Sequence, residues 1–345
     1  MALTIVADDL AGACDAGTLF ARKAPVPVTV WPDVSVAEVA VVDTESRHLA
    51  RDEAIARVRG TVARRPAVTS WFKKIDSTLR GHVGAEIVAL LEATETPSAV
   101  ICPAFPSEGR VVLDRVLRVE GTAVAQVEDR IRSETDRPLA FIPLAEVRAG
   151  VTALAARLAR MAGMIAVTDA ETDGDLDTIV GAALALDRPP LLAGSAGLAR
   201  PLAQRLGLHA EPVSLPGGCW LVVAGSLHPA TRRQIAEARQ AGLRVLATAD
   251  AESADEGASA TLARDAARVL AADSFDLVAL TGGDTAAALY RALGAVRMDL
   301  VGAPRPGLSF GHLRAPGHPA LPVLTKAGGF GPPDLFVSLR KEATG

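Results

Sequence analysis

Short, uniformly apolar runs alternate with longer stretches of helical spacing along most of this chain. The runs at Leu3–Ala7, 39–42, Ala99–Cys102, 164–167 and 191–193 are too short for core helices and lack polar alternation, which marks strands covered on both faces. Between them, Arg51–Ala63, 84–91 and 145–160 place apolar residues at the three- and four-residue spacing of a helix face. This alternation predicts a mostly parallel sheet with helices on its faces. Val116–Val119 and the β-prone stretch 122–127 are separated only by Glu120-Gly121, which predicts a hairpin and an antiparallel edge.

After a helical stretch at 198–206, residues 207–218 hold three glycines and two prolines and lose all periodicity, as an interdomain linker does. The alternation then restarts, with strands expected at 220–223, 245–247, 277–280 and 321–324 and helices at 230–241, Ala258–Ala272 and 285–293. The predicted architecture is therefore α/β in two domains, 1–207 and 219–345, each a mostly parallel sheet flanked by helices. The Pro- and Gly-rich stretch 301–319 reads as one long irregular loop, a type of segment that often serves a site.

Composition narrows the picture. At 345 residues, the chain exceeds what one core organises, and 49% hydrophobic residues suffice for two. Only 3% of residues are aromatic, so Ala, Val and Leu build the cores, which disfavours an aromatic-rich β-sandwich. A net charge of −4 supplies no basic field for nucleic acid. Cys14, Cys102 and Cys219 are odd in number and widely spaced, which suggests neither a disulfide framework nor a zinc knuckle. The start meets acid after a few apolar residues, and no apolar run approaches the roughly 20 residues of a membrane span. A soluble, cytoplasmic protein without membrane partners is expected.

The candidate chemistry sits at strand ends, where open α/β sheets gather their ligands. Asp8 and Asp9 end the first strand before a tight turn into a helix; such carboxylates accept a hydroxyl proton, hold Mg²⁺ or simply cap the helix. In Lys73-Lys74-Ile75-Asp76-Ser77-Thr78-Leu79-Arg80-Gly81, strand alternation sends Lys74 and Asp76 to one face. Arg80 can clamp a carboxylate, Ser77 and Thr78 add donors, and a surface salt-bridge cluster is the plain alternative. Arg47, closing the polar strand end that begins at Asp43, and Arg110, closing a proline-bracketed loop after Cys102, are further candidates for substrate contact.

The turn Gly194-Ser195-Ala196-Gly197 exposes backbone donors or merely packs tightly. In the second domain, three strand ends look alike: Gly225-Ser226-Leu227-His228, Gly282-Gly283-Asp284-Thr285 and Lys326-Ala327-Gly328-Gly329. Their backbone donors suit phosphates, although steric packing alone also explains the glycines, and none fits a Rossmann or Walker fingerprint. No metal-ligand spacing is apparent among the histidines, so any metal ligands are unassigned.

Taken in order, these segments resemble the four-carbon acid sugar kinase family, whose members act on threonate, erythronate and 3-oxo-tetronate. The likeness runs through ADDLAGACD (7–15), DTESR (43–47), KKIDSTLRG (73–81), PAFPSEGR (103–110), GSAGLA (194–199), GSLHPAT (225–231), GGDTA (282–286) and KAGGFG (326–331). It therefore spans nearly the whole chain, and KKIDSTLRGHVGAEI is its most specific piece. Four positions depart from the family pattern: Asp284 stands for the usual Glu of GGET, Ala327 and Gly329 for the Ser and Asn of KSGNFG, and His228 for a second serine. The chain also looks shorter than typical members around 126–144 and 243–276.

The resemblance implies an N-terminal domain for the sugar acid, a C-terminal domain for the nucleotide, and an active site in the interdomain cleft. It implies transfer of a phosphoryl group from ATP, with Mg²⁺, to the terminal 4-hydroxyl of a tetronate. Under it, Asp8 or Asp9 orients and deprotonates the hydroxyl, and Lys74 and Arg80, with Arg47 and Arg110 alongside, hold the carboxylate. Asp76 and Ser77 fix the sugar hydroxyls, while Ser226, Gly282, Gly283, Asp284, Thr285, Gly328 and Gly329 hold ATP. Domain closure would exclude water, and homodimerisation is allowed for. Two other classes stay open: a non-catalytic sensor of sugar acid and nucleotide, and a lyase using Lys74 as a Schiff base.

Overall fold

The computed structural model describes residues 2–248, 257–327 and 329–344. Its contacts divide the chain into two units: one holds the chain up to Asp8 with Trp31–His209, the other Asp9–Val30 with everything from Ala210 onward. The contact boundary thus differs from the boundary drawn on sequence, because residues 9–30 join the C-terminal unit.

In the first unit, seven strands lie in the order Val39–Asp43, Leu3–Ala7, Ser70–Lys74, Leu191–Gly194, Ala99–Cys102, Ile165–Thr168 and Leu139–Ile142. Every pairing among them is parallel, so all seven end on the same edge. Ile5, Val6, Phe72, Ile101, Val167 and Leu192 are buried on this sheet, which is why its strands read as unbroken apolar runs. Two groups of helices accompany it: Arg51–Ala63 packs on Val83–Ala93, and Asp173–Leu184 packs on both Val151–Leu158 and Ala196–Arg205. Burial of each such large apolar side chain contributes roughly 1.5–3 kcal/mol.

Two expectations for this unit are corrected. The single helix expected at 145–160 is two, Leu144–Val147 and Val151–Leu158, because Gly150 takes φ +95 and breaks the hydrogen-bonded spiral between them. The hairpin near Glu120-Gly121 is real, with both residues left-handed as a type I′ turn requires. It is not an edge of the main sheet, however. It belongs to a separate three-stranded antiparallel sheet of Arg110–Leu113, Val116–Val119 and Thr122–Gln126, and Val127 already starts a helix.

The second unit also holds seven strands, ordered Arg244–Ala247, Trp220–Ala224, Leu277–Thr281, Leu321–Lys326, Leu308–Arg314, Arg297–Gly302 and Val26–Val30. The first four are mutually parallel and the remaining pairings antiparallel. Trp220, Val222, Leu277, Ala279, Phe310, Leu324 and Phe336 form its core. The stretch 301–319 is therefore no long irregular loop. Its middle is the buried strand Leu308–Arg314, and Gly311 permits close strand approach there: a Cβ at this position would meet the Asp299 carbonyl at 2.5 Å.

Candidate functional site

In the first unit the register brings Ala7 level with Asp43, Val6 with Lys73, and Lys74 and Cys102 both with Gly194. The polar residues that follow each strand are therefore set out along one carboxyl edge. Asp8, buried at this edge, receives Arg47 through two parallel bonds, Nε to Oδ2 at 2.9 Å and Nη2 to Oδ1 at 3.0 Å. The same Nη2 lies 3.7 Å from Asp76 Oδ1. Asp76 in turn accepts from Arg80 Nε and Nη2 at 3.0 and 2.8 Å and from the Thr78 amide and hydroxyl. The result is an alternating row, Asp8–Arg47–Asp76–Arg80, that runs from the interior to the surface, since the Arg47 side chain is 9% exposed and that of Arg80 65%.

This row sets the charge states. Burial alone would raise the pKa of Asp8, but the Arg47 guanidinium, with Lys73 and Lys74 behind it, outweighs burial and holds the carboxyl below its usual range. Asp76 behaves in the same way: burial is overcome by bonds from Arg80, the nearby Arg47 charge and Thr78, and its carboxyl stays ionised far into acid. Gly81, at φ +81, packs where a Cβ would come within 2.9 Å of Asp8 Oδ2, which explains the glycine that closes the motif.

Lys74 differs from its neighbours. It is 5% exposed, and its Nζ donates at 2.9 Å to the Ile75 carbonyl, with no carboxylate among the described residues at ion-pair distance. An ammonium has three donors, and burying its charge costs several kcal/mol unless an anion compensates. The row pairs two acids with two arginines, and Lys74 lies beside it outside these ion pairs.

Lys73, on the opposite face of the same strand, is also buried but fully paired, its Nζ lying 2.7 Å from Glu86 Oε2. The sequence does not show this pair, nor that Ser46, at the polar strand end that begins at Asp43, donates to Glu86 Oε1. One signal was available: Glu86 is the lone acid in the apolar, buried first turns of helix Val83–Ala93. Ser77 is half-buried in the Asp76–Arg80 turn. Arg110 stands apart from the row, in the small sheet beyond strand Ala99–Cys102, and donates to the Glu108 carbonyl. The Gly194–Gly197 turn is explained by packing: Ser195 caps Gly197 and donates to the Ala104 carbonyl, and a Cβ on Gly194 would lie 2.7 Å from the Cys102 carbonyl.

In the second unit, Asp9 caps helix Leu10–Gly17 through Gly12 N at 2.9 Å. Its Oδ2 lies 2.7 Å from where a Gly283 Cβ would stand, at the start of helix Gly283–Ala292. Gly225 packs directly on Thr285, Gly282 takes φ +103 with Ser226 N close by, and Gly329 packs on the His228 ring. Asp9, Ser226, Gly282, Gly283 and Thr285 are thus drawn together, with Asp284 exposed on the first turn. Gly328 lies outside the described residues. Adjacent parallel strands Trp220–Ala224 and Leu277–Thr281 lead into helices Pro229–Gln240 and Gly283–Ala292, so two helix N-termini with their positive dipole ends face the same edge. Asp8 and Asp9, a pair in the sequence, serve different units: the first anchors Arg47, the second borders the glycine turn.

Among the described residues no group of three or more His, Cys, Asp or Glu could hold a metal by itself, and no helix is long and apolar enough to cross a membrane. Residues 3–202 match a sugar-binding N-terminal domain model and residues 243–336 a nucleotide-binding C-terminal domain model. A D-threonate kinase of Bordetella bronchiseptica is 36% identical over 392 residues, covering 96% of this chain and 95% of its own length. That alignment is longer than this chain of 345 residues, so the relative carries segments absent here. A D-erythronate kinase of Heliobacterium modesticaldum is 33% identical over 68% of this chain and 59% of its own. Among solved structures, a protein of Salmonella typhimurium LT2 superimposes with a TM-score of 0.81 at 20% identity, covering 99% of each chain. A Bordetella bronchiseptica chain, solved with citrate as a domain-swapped dimer, gives 0.52 at 32% identity, covering 99% of this chain and 97% of its own.

Proposed function

Because the chain belongs to the four-carbon acid sugar kinase family, we propose that it transfers the γ-phosphoryl group of ATP to the terminal 4-hydroxyl of threonate, erythronate or 3-oxo-tetronate. The single observation that carries this reading is Lys74, a buried ammonium with no carboxylate among the described residues at ion-pair distance, beside a row of fixed polar groups at the carboxyl edge of the sheet. A sugar-acid carboxylate supplies the missing charge, with the exposed Arg80 closing over it. Asp76 and Ser77 take the substrate hydroxyls, and Arg110 is assigned an outlying contact.

In the second unit, the backbone donors of Ser226 and of Gly282–Thr285, with Gly329, hold the triphosphate at the two helix N-termini. Gly328 is assigned with them on sequence alone. A Mg²⁺ ion needs only one or two carboxylates besides phosphate and water, and Asp284, on the first turn of helix Gly283–Ala292, would supply one. When bound, the ion offsets phosphate charge.

The base is Asp9 rather than Asp8, whose lone pairs face Arg47 and whose proton affinity three cations suppress. The substrate oxygen forms the new bond to phosphorus as the bond to the β-phosphate oxygen breaks, and the hydroxyl proton passes to Asp9. The domain-swapped Bordetella dimer supports a homodimer, and cytoplasmic action completes the reading.

A coupled assay of ADP release with D-threonate, D-erythronate, L-threonate and 3-oxo-tetronate tests the proposal. Turnover with at least one acid, and its abolition when the acid or ATP is omitted, is expected. Binding of acid and ATP without product would replace the kinase by a sensor. Borohydride-trapped substrate on Lys74 would favour the lyase.

A further inference from the structure

We infer that the buried trio Lys73, Glu86 and Ser46 is a positioning device for the acid-binding edge, tying the three strand ends that carry Asp8, Arg47 and Lys74 into one geometry. The inference rests on the acceptor-site reading above. Lys73 Nζ lies 2.7 Å from Glu86 Oε2 and donates to the carbonyls of Val6 at 3.3 Å and Lys74 at 3.1 Å. One ammonium thus joins the strand that leads into Asp8, the strand that ends in Lys74, and the helix that follows it. Glu86 Oε1 accepts from Ser46, the residue before Arg47. The Ser46 hydroxyl oxygen lies 2.7 Å from that of Thr44, whose hydroxyl donates at 2.8 Å to the Ala7 carbonyl, one residue before Asp8. The amides of Ser46 and Arg47 both donate to the Asp8 carbonyl, closing the circuit on the backbone.

Stability alone does not call for such a network. The side chains of Lys73 and Glu86 are 1% and 2% exposed, and buried ion pairs are often replaceable by apolar residues of similar volume without loss of stability. Around the ion pair, the network instead reaches the Val6, Ala7 and Lys74 carbonyls and the Ser46 hydroxyl, all within two residues of Asp8, Lys74 or Arg47. A displacement on the order of 1 Å there costs about 100-fold in rate. The acceptor-site reading assigns none of the trio to the substrate, so they are positioning residues.

The test is the double variant Lys73→Met/Glu86→Leu in the full chain, assayed with whichever tetronate the unaltered chain phosphorylates fastest. Expected is a cooperatively folding protein whose KM for the tetronate rises about 10- to 100-fold while KM for ATP stays within about twofold. Unchanged constants for both substrates overturn the inference, since a network that only stabilises the fold is dispensable once replaced by apolar packing. Equal losses for both substrates also overturn it. Should the double variant fail to fold, Ser46→Ala keeps the ion pair and deletes only the bridge to Arg47. A selective rise in tetronate KM supports the device, and its absence refutes it. Lack of any turnover and any tetronate binding by the unaltered chain defeats the acceptor-site reading, and this inference with it. That result is distinguishable from an active chain whose variants are indifferent.

Discussion

At the scale of single residues, the informative group is Lys74, buried with no carboxylate among the described residues at ion-pair distance, a place that the proposed reading fills with the acid's carboxylate. Lys74→Met keeps the stem and removes the charge. A charge-assisted hydrogen bond is worth about 1.5–3 kcal/mol, so kcat/KM for the acid should fall roughly 10- to 150-fold with KM for ATP unchanged, as initial-rate kinetics would show. Asp76 makes a pH prediction. Its carboxyl is held below the ordinary value, so its contribution to stability is complete above the unfolded pKa of about 4 and is lost as pH falls through the depressed folded value. Urea midpoints should therefore drop below about pH 4, and Asp76→Asn should flatten that part of the curve. Asp8, Asp76, Arg47, Lys74 and Arg80 were legible as charges at apolar strand ends. Glu86 was not, since its partnership with Lys73 depends on how a helix lies on a sheet, which no local spacing expresses.

At the scale of elements, the buried parallel strands could be read because a strand covered on both faces must be apolar throughout. Strands with other demands were hidden. Val26–Val30 carries Pro27, which lacks a ladder donor, and Leu308–Arg314 carries Gly311 and His312 between breaker-rich flanks. The glycine turns were legible as turns, while the reason for each glycine came from its neighbours. Gly283→Ala places a methyl 2.7 Å from Asp9 Oδ2, so it should lower turnover by about tenfold or more with little change in thermal midpoint. Gln234 is another tertiary element. From helix Pro229–Gln240 its Nε2 reaches the carbonyls of Phe330, Gly331 and Pro332 at 2.9–3.0 Å. Gln234→Leu leaves the Gly331 carbonyl without this donor, while Phe330 and Pro332 keep Lys326 Nζ and Leu335 N, and should cost about 1–3 kcal/mol in urea unfolding.

At the scale of the whole molecule, the α/β class was legible in the alternation of strands and helices, while the contacts place residues 9–30 with the C-terminal unit. That segment gives the second unit a helix packed on Gly283–Ala292 and a strand paired with Arg297–Gly302. A fragment of residues 208–345 alone should therefore expose Met298 and Leu300 and lack cooperative unfolding by circular dichroism. Residues 9–30 joined to it through a flexible linker should restore a sigmoidal transition. By itself, the sequence determined the alternation of strands and helices, the strand ends that bear charge, and the family, because these follow from local periodicity and contiguous motifs. Only the tertiary structure decided which unit Asp9 serves, that Asp8 is spent on Arg47, and that Lys73 pairs with Glu86 while Lys74 has no carboxylate at ion-pair distance among the described residues. Those outcomes depend on partners 13 to 274 positions away along the chain, brought close by packing.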